Sequence, residues 1–244
     1  MFYFGDKKII YIILAILVLG SIFTMTTGSI LSLILTLPGV LIAITFHEYA
    51  HAFVADKLGD DTPRIQGRLT LNPFAHLDPI GAVLLVFVHF GWGKPVEINP
   101  RNFSRKISMS AGEAIVSLAG PLMNFILAIV FTIISCILVK FASSFILFNQ
   151  IGAIIYTLIK ICISINIGLG VFNLIPLPPL DGSKILMHFL PYNAKNWMIR
   201  NQNIFYIVFL LIWITGLAGV IISPVIDFIY NIIVGGIGRL FGIL

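Results

Sequence analysis

Long apolar runs alternate with short charged stretches along the whole chain. No charged residue occurs between Ile9 and Phe46. About 20 helical residues cross a hydrocarbon core, so this run is too long for one span. The polar patch from Thr24 to Ser29 divides it. The pattern predicts one span at about Ile9 to Phe23 and a second at about Ile30 to Ala55, closed by Asp56 and Lys57. Further runs of spanning length are Ala114 to Val139, Gly152 to Ile175 (broken only by Lys160) and Ile204 to Val225. The tail from Ile226 to Leu244 is apolar and glycine-rich, which suits a last span, a re-entrant piece or an interfacial helix. Ile80 to Phe90 is apolar but too short to cross, and reads as a half-buried or re-entrant segment. Period-two alternation at Arg64–Leu71 and Lys94–Asn99, beside Gly and Pro, predicts short strands near one membrane face. The expected fold class is an all-α polytopic membrane protein. It would have about six transmembrane helices and a few short membrane-associated β-strands.

Composition agrees with this reading. Hydrophobic residues make up 59% of the chain, charged residues 10%, and the mean hydropathy is +1.05. A soluble domain of this length needs more charge to cover its surface. The net charge of +5 is not gathered into a nucleic-acid footprint, so no nucleic-acid partner is expected. The partner that the composition implies is the lipid bilayer. If Ile80–Phe90 does not cross, twelve of the fifteen Lys and Arg residues share one face; Lys140, Lys160 and Arg239 are the exceptions. The positive-inside rule makes that face, with the N-terminus, cytoplasmic, and the localisation a multi-pass cell-membrane protein. The first run lacks a small-residue cleavage site and reads as a retained span. Cys136 and Cys162 lie in apolar runs and read as small buried hydrophobes. The loops are too short for a second domain, so residues 1–244 read as one membrane-embedded unit.

Candidate chemistry begins at His47-Glu48-Tyr49-Ala50-His51. On a helix, positions i and i+4 share a face, so both imidazoles can reach one metal ion. Glu48, beside the first ligand, can deprotonate a metal-bound water. Two histidines and a glutamate near the end of a membrane span are costly unless paired or metal-bound. His47 precedes Lys57 by ten residues, or about 15 Å of helix, which sets the metal inside the bilayer. Catalytic zinc also needs a third protein ligand. Asp181 is one candidate. It follows Pro176, Pro178 and Pro179, which stop a helix at membrane depth. Spacing alone leaves it equally open as a helix N-cap. His76, in a proline-flanked turn with Asp78, is the competitor, although turn hydrogen bonding is its simpler role.

At this point the chain resembles the site-2 protease family of intramembrane zinc metalloproteases. His47–His51 matches that family's metal helix. Asn173–Gly182 resembles its second signature, which implies Asp181 as the third ligand of one Zn2+ per chain. Gly120-Pro121-Leu122-Met123-Asn124 resembles the segment between the two. Leu71–Pro79 with Gly91–Val96 resembles the short bacterial branch, and nothing resembles a PDZ or CBS domain. The resemblance covers roughly residues 30 to 200. It implies a three-span catalytic core, and cleavage of a transmembrane protein substrate with Glu48 as the base.

Several weaker signals surround this core. Asn124 suits an interhelical hydrogen bond, and the resemblance adds a catalytic alternative, orienting substrate or stabilising an oxyanion. Asn173 is similar. Gly91–Val96 reads equally as a strand edge for unwound substrate or as a membrane-dipping hairpin. Lys160 should face a cavity or an acidic partner; Asp227, His89 and His188 read as interface or loop residues. A transporter or metal-binding receptor, including an inactive protease relative, is the rival reading. Glu48 discriminates, because it has no ligand role in a transporter.

Overall fold

A computed structural model describes residues 27–78, 81 and 93–243. The predicted first span and the Ile80–Phe90 segment, with Gly91 and Trp92, lie outside the described residues apart from Gly81. Four described helices are long and apolar enough to cross a membrane: Ser32–Leu58, Met109–Phe141, Gln150–Asn173 and Leu217–Phe241. The first belongs to α1 (Thr27–Leu58), the second is α4 (Met109–Phe141) and the third is α6 (Gln150–Asn173). Between them lie two one-turn helices, α2 (Thr62–Ile65) and α3 (Pro73–His76), and a short α5 (Ser143–Phe148). Then follow α7 (Asp181–Phe189), α8 (Tyr192–Arg200), α9 (Gln202–Ile214), α10 (Leu217–Tyr230) and α11 (Gly236–Phe241). A π-helical turn at Asn231–Gly235 joins the last two.

Helices α1, α4 and α6 pack pairwise against one another and form the core. Lipid removes the hydrophobic drive between helices, so close approach depends on small residues. At Gly39 of α1 an added Cβ would meet Ile165 of α6 at 3.1 Å. At Gly170 of α6 it would meet the Phe125 ring at 2.9 Å. Ala128, Ile163, Ile167 and Val171 fill the α4–α6 seam, and Ile222, Ile226 and Ile229 of α10 pack on it.

Two sequence-based expectations are corrected here. The single span expected at Ile204–Val225 is broken: α9 ends at Ile214, Gly216 adopts a left-handed φ of 74°, and α10 begins at Leu217. Glycine accepts that conformation without a Cβ clash. Hydropathy is continuous across the break and does not reveal it. The spanning unit starts after it, and the tail from Ile226 continues that unit to Phe241.

The strand expected at Arg64–Leu71 begins instead as α2. Pro63 sits in its first turn, and Gly67, at φ 69°, follows its end. Lys94–Asn99 runs without a ladder among the described residues, next to one antiparallel bridge between Leu77 and Gly93.

Candidate metal centre

Helix α1 carries the first donors. It stays regular to Leu58 and closes at Gly59, φ 108°, where Asp60 N–H donates to Ala55 C=O at 3.0 Å. This is the glycine-terminated end that leaves few orphan carbonyls. His47 and His51, one turn apart, are both buried.

Helix α4 runs antiparallel to α1 and meets these rings with a stripe at four-residue spacing. Val116 C=O accepts from His51 Nδ1 at 2.7 Å. Gly120 leaves room for both rings, since a Cβ there would lie 2.5 Å from His51 Nε2. Asn124 Oδ1 accepts from His47 Nδ1 at 2.7 Å. The Asn124 amide donates to Ala43 C=O at 3.1 Å and to Asn166 Oδ1 at 3.0 Å. Asn166 in turn donates to Cys162 C=O at 2.8 Å. Both asparagines are fully buried. This chain of donors settles the imidazole tautomers. Each Nδ1 faces an oxygen that can only accept, so each Nδ1 carries a proton, and in the neutral ring Nε2 is the lone pair.

The third donor arrives from α6. That helix ends at Asn173, and its prolines carry the chain through Leu174–Leu180 to the start of α7. Asp181 is the first residue of α7, after Leu180 at the N-cap position. Its Oδ2 lies 3.2 Å from His47 Nε2 and 3.1 Å from His51 Nε2, and the two Nε2 atoms are 3.0 Å apart. Gly182 lets the turn close, because a Cβ there would collide with the carbonyls of Leu174 and Ile175.

With both rings neutral, three electron-pair donors meet in a nearly equilateral triangle. Such a cluster is repulsive unless a cation joins it. The edges approach the roughly 3.3 Å expected between ligands tetrahedrally placed about 2 Å from a zinc ion. Two imidazoles and one carboxylate are also the donor set of a catalytic zinc site that keeps a position open.

A cleft of about 150 Å³ opens beside the triangle, lined by His47, Glu48, His51, Ser117, Asn173 and Lys184, with Pro95 and Val96 among the covering residues. Glu48 Oε2 accepts the Val96 N–H at 2.9 Å, so the Lys94–Asn99 segment lies across the carboxylate.

The structure thus brings together His47, His51 and Asp181, with Glu48 in the adjoining cleft. Asn124 stands behind His47 and gives its amide hydrogens to Ala43 and Asn166, so it is placed to orient the ring rather than to reach into the cleft. Asn173 lines the cleft and donates to Leu169 C=O at 3.1 Å. His76 is buried apart from the triangle, with Nε2 donating to Thr70 C=O at 2.8 Å. Sequence reasoning missed Asn166, although an amide inside an apolar span is a readable signal. It also missed Val116, whose contribution is a backbone carbonyl and leaves no mark in the side-chain pattern.

The model of Peptidase family M50 matches residues 35–216. "Putative zinc metalloprotease YwhC" of Bacillus subtilis is 37% identical over 188 residues, covering 77% of this chain and 84% of the relative. "Putative zinc metalloprotease Rip2" of Mycobacterium tuberculosis is 29% identical, covering 73% of this chain and 66% of its own length. A "Putative zinc metalloprotease" of Methanocaldococcus jannaschii is 27% identical over 87% of this chain and 99% of its own. No solved structure matches the chain.

Proposed function

The chain belongs to peptidase family M50, and from that premise we propose that it is an intramembrane zinc metalloprotease that cuts transmembrane protein substrates. The observation that carries the proposal is the meeting of His47 Nε2, His51 Nε2 and Asp181 Oδ2 within metal-ligand distance of one another. These atoms would hold one zinc ion. Bound there, zinc supplies a Lewis acid that polarises the scissile carbonyl and acidifies water. Glu48 is not part of the triangle and is kept for proton transfer: it takes the proton of the attacking water and returns it to the leaving amine. Asn124 is a positioning residue. By holding His47 Nδ1–H it keeps the opposite nitrogen aimed at the metal.

A multi-pass membrane architecture fits the four apolar helices and the family. On this reading residues 1–244 act as one membrane-embedded unit, and the cleft opens toward the cytoplasmic side that the Lys and Arg distribution assigns. Intact helical amides are shielded by their own hydrogen bonds, so the substrate must unwind locally to be cut. The cleft beside Glu48 is where it would do so.

The test combines two measurements on one detergent-purified sample: zinc content, and cleavage of a single-span reporter peptide. Glu48→Gln should keep about one zinc per chain and lose cleavage, because the proton acceptor goes while the three donors stay. Cleavage at the parent rate would eliminate Glu48 as base. A parent protein that holds no zinc would end the metalloprotease reading.

A further inference from the structure

Ser117 sits on α4 directly after Val116, the residue whose carbonyl fixes His51. It is 1% exposed, lines the cleft with Glu48 and Asp181, and its Oγ has no hydrogen-bond partner. Among the described residues that line the cleft, it is the one buried side-chain atom in that condition.

An alternative partner exists nearby. A helical hydroxyl readily donates to the carbonyl four residues back. Thr36, Thr132, Thr157 and Thr215 all do so, at 2.7 to 2.8 Å. Ser117 does not. Leaving a buried hydroxyl unpaired is costly, and such an atom at the rim of a reaction centre points to a group that arrives later.

The chemistry of that group follows from the balance of donors and acceptors in the cleft. His47, His51, Asp181 and Glu48 all present electron pairs to it, and Glu48 already accepts a backbone N–H. A substrate helix unwound for cleavage brings unpaired carbonyls as well as unpaired N–H groups, and in a membrane each must be satisfied. The carbonyls need donors, and of the lining side chains Lys184 offers a charged one and Ser117 a buried hydroxyl with no other partner.

We propose that the Ser117 hydroxyl is a substrate-binding donor that receives a backbone carbonyl of the unwound substrate segment. The inference rests on the protease reading and adds a residue to the same site. It is a contact with substrate rather than with metal, so removing it should leave zinc in place. Because the hydroxyl is unpaired in the free protein, removing it should also leave the fold intact.

The experiment uses the full chain in detergent, with a fluorescent single-span peptide carrying a Gly-Pro pair in its cytoplasmic half. Binding is read in the Glu48→Gln background, where bound peptide is not consumed, with and without Ser117→Ala. Cleavage is read in the Glu48 background. Ser117→Ala should weaken peptide binding about tenfold and lower kcat/KM by a similar factor. Zinc content should stay unchanged, and the melting temperature should be equal or higher. Ser117→Cys, with a weak donor of similar size, should fall between.

Parent-like binding and cleavage in Ser117→Ala would overturn the proposal while leaving the protease reading intact. So would a lowered melting temperature with loss of zinc, which would make Ser117 a packing residue. A parent protein that neither binds nor cuts the peptide would overturn the protease reading and this proposal with it.

Discussion

Two polar regions lie within a few helical turns of each other and have opposite character. One is the triangle of His47, His51 and Asp181. The other is the loop platform built from α2, α3 and the segment from Gly93 to Ser104. In the platform most polar side chains have met a partner, although His76 Nδ1 is buried without one. Asp60, fully buried, accepts from Thr62 N–H and Oγ1, Asn99 N–H and Asn102 Nδ2. Buried Arg68 donates to Ala75 C=O, and His76 donates to Thr70 C=O. In the triangle Asn124 and Val116 each hold one ring N–H, so the neutral rings turn their Nε2 lone pairs toward Asp181. The contrast teaches that a buried histidine with one ring nitrogen fixed is a candidate ligand only where its other nitrogen meets further donors. His47 and His76 are both buried and each donates one ring N–H to an oxygen, but the second nitrogen of His47 faces an imidazole and a carboxylate whereas that of His76 meets no partner.

The strongest way to break the contrast is to remove a lone pair from the triangle. Asp181→Ala should reduce bound zinc from about one per chain to near none and abolish cleavage, since two imidazoles are too few for a catalytic site. Elemental analysis beside a cleavage assay decides it, and full zinc content would return Asp181 to a local role at the start of α7.

A smaller effect should follow from removing the group behind a ligand. Asn124→Ala keeps all three donors but releases the His47 tautomer. Zinc affinity should fall about 10- to 100-fold, measured by chelator competition. Unchanged affinity would mean the helix packing alone orients the ring.

On the platform, His76→Ala should leave zinc occupancy intact. The cost should appear as stability, about 1–3 kcal/mol for the lost hydrogen bond and packing. Calorimetry of the zinc-loaded protein tests this, and zinc loss without destabilisation would contradict it.

The smallest effect concerns Asp60. Burial pushes its carboxyl up, but the bonds from Thr62, Asn99 and Asn102 outweigh burial and hold it below the usual carboxylate range. A group depressed in the folded state adds stability above its unfolded pKa, roughly 4, and loses it as pH falls through the folded value. The melting-temperature gap between the parent and Asp60→Asn should therefore narrow on acidification from pH 7 to pH 3. A gap that widens would show the carboxylate to be destabilising.

The same contrast explains what the sequence disclosed. His47, Glu48 and His51 were readable because helical spacing is fixed, and residues four apart on one helix must share a face. The core helices α1, α4 and α6 were readable because long charge-free runs have few alternatives. Asp181 was readable as a candidate only. A carboxylate after three prolines suits a cap or a ligand, and the outcome depends on how far the Leu174–Leu180 turn swings it toward α1. The alternation at Arg64–Leu71 misled because Pro63 and Gly67 dictate a helical turn locally, whatever the polarity pattern. The break at Gly216 was hidden because it is a change of one dihedral angle within uniformly apolar sequence. Val116 and Gly120 were invisible for the same kind of reason: one acts through its main chain and the other through having no side chain.

The stripe of Val116, Gly120 and Asn124 also sets where the chain can change length. It matches the four-residue step between His47 and His51 only while both helices keep their register. One residue inserted between Val116 and Asn124 would rotate one contact by about 100° relative to the other and shift it 1.5 Å along the axis. One imidazole would lose its acceptor while the other kept it. The same insertion in the turn around Ala142 or Asn149, between α4, α5 and α6, displaces neither. Length variation should therefore be tolerated at the helix ends and forbidden between Val116 and Asn124 of α4, whose one face works as a gauge for the other helix.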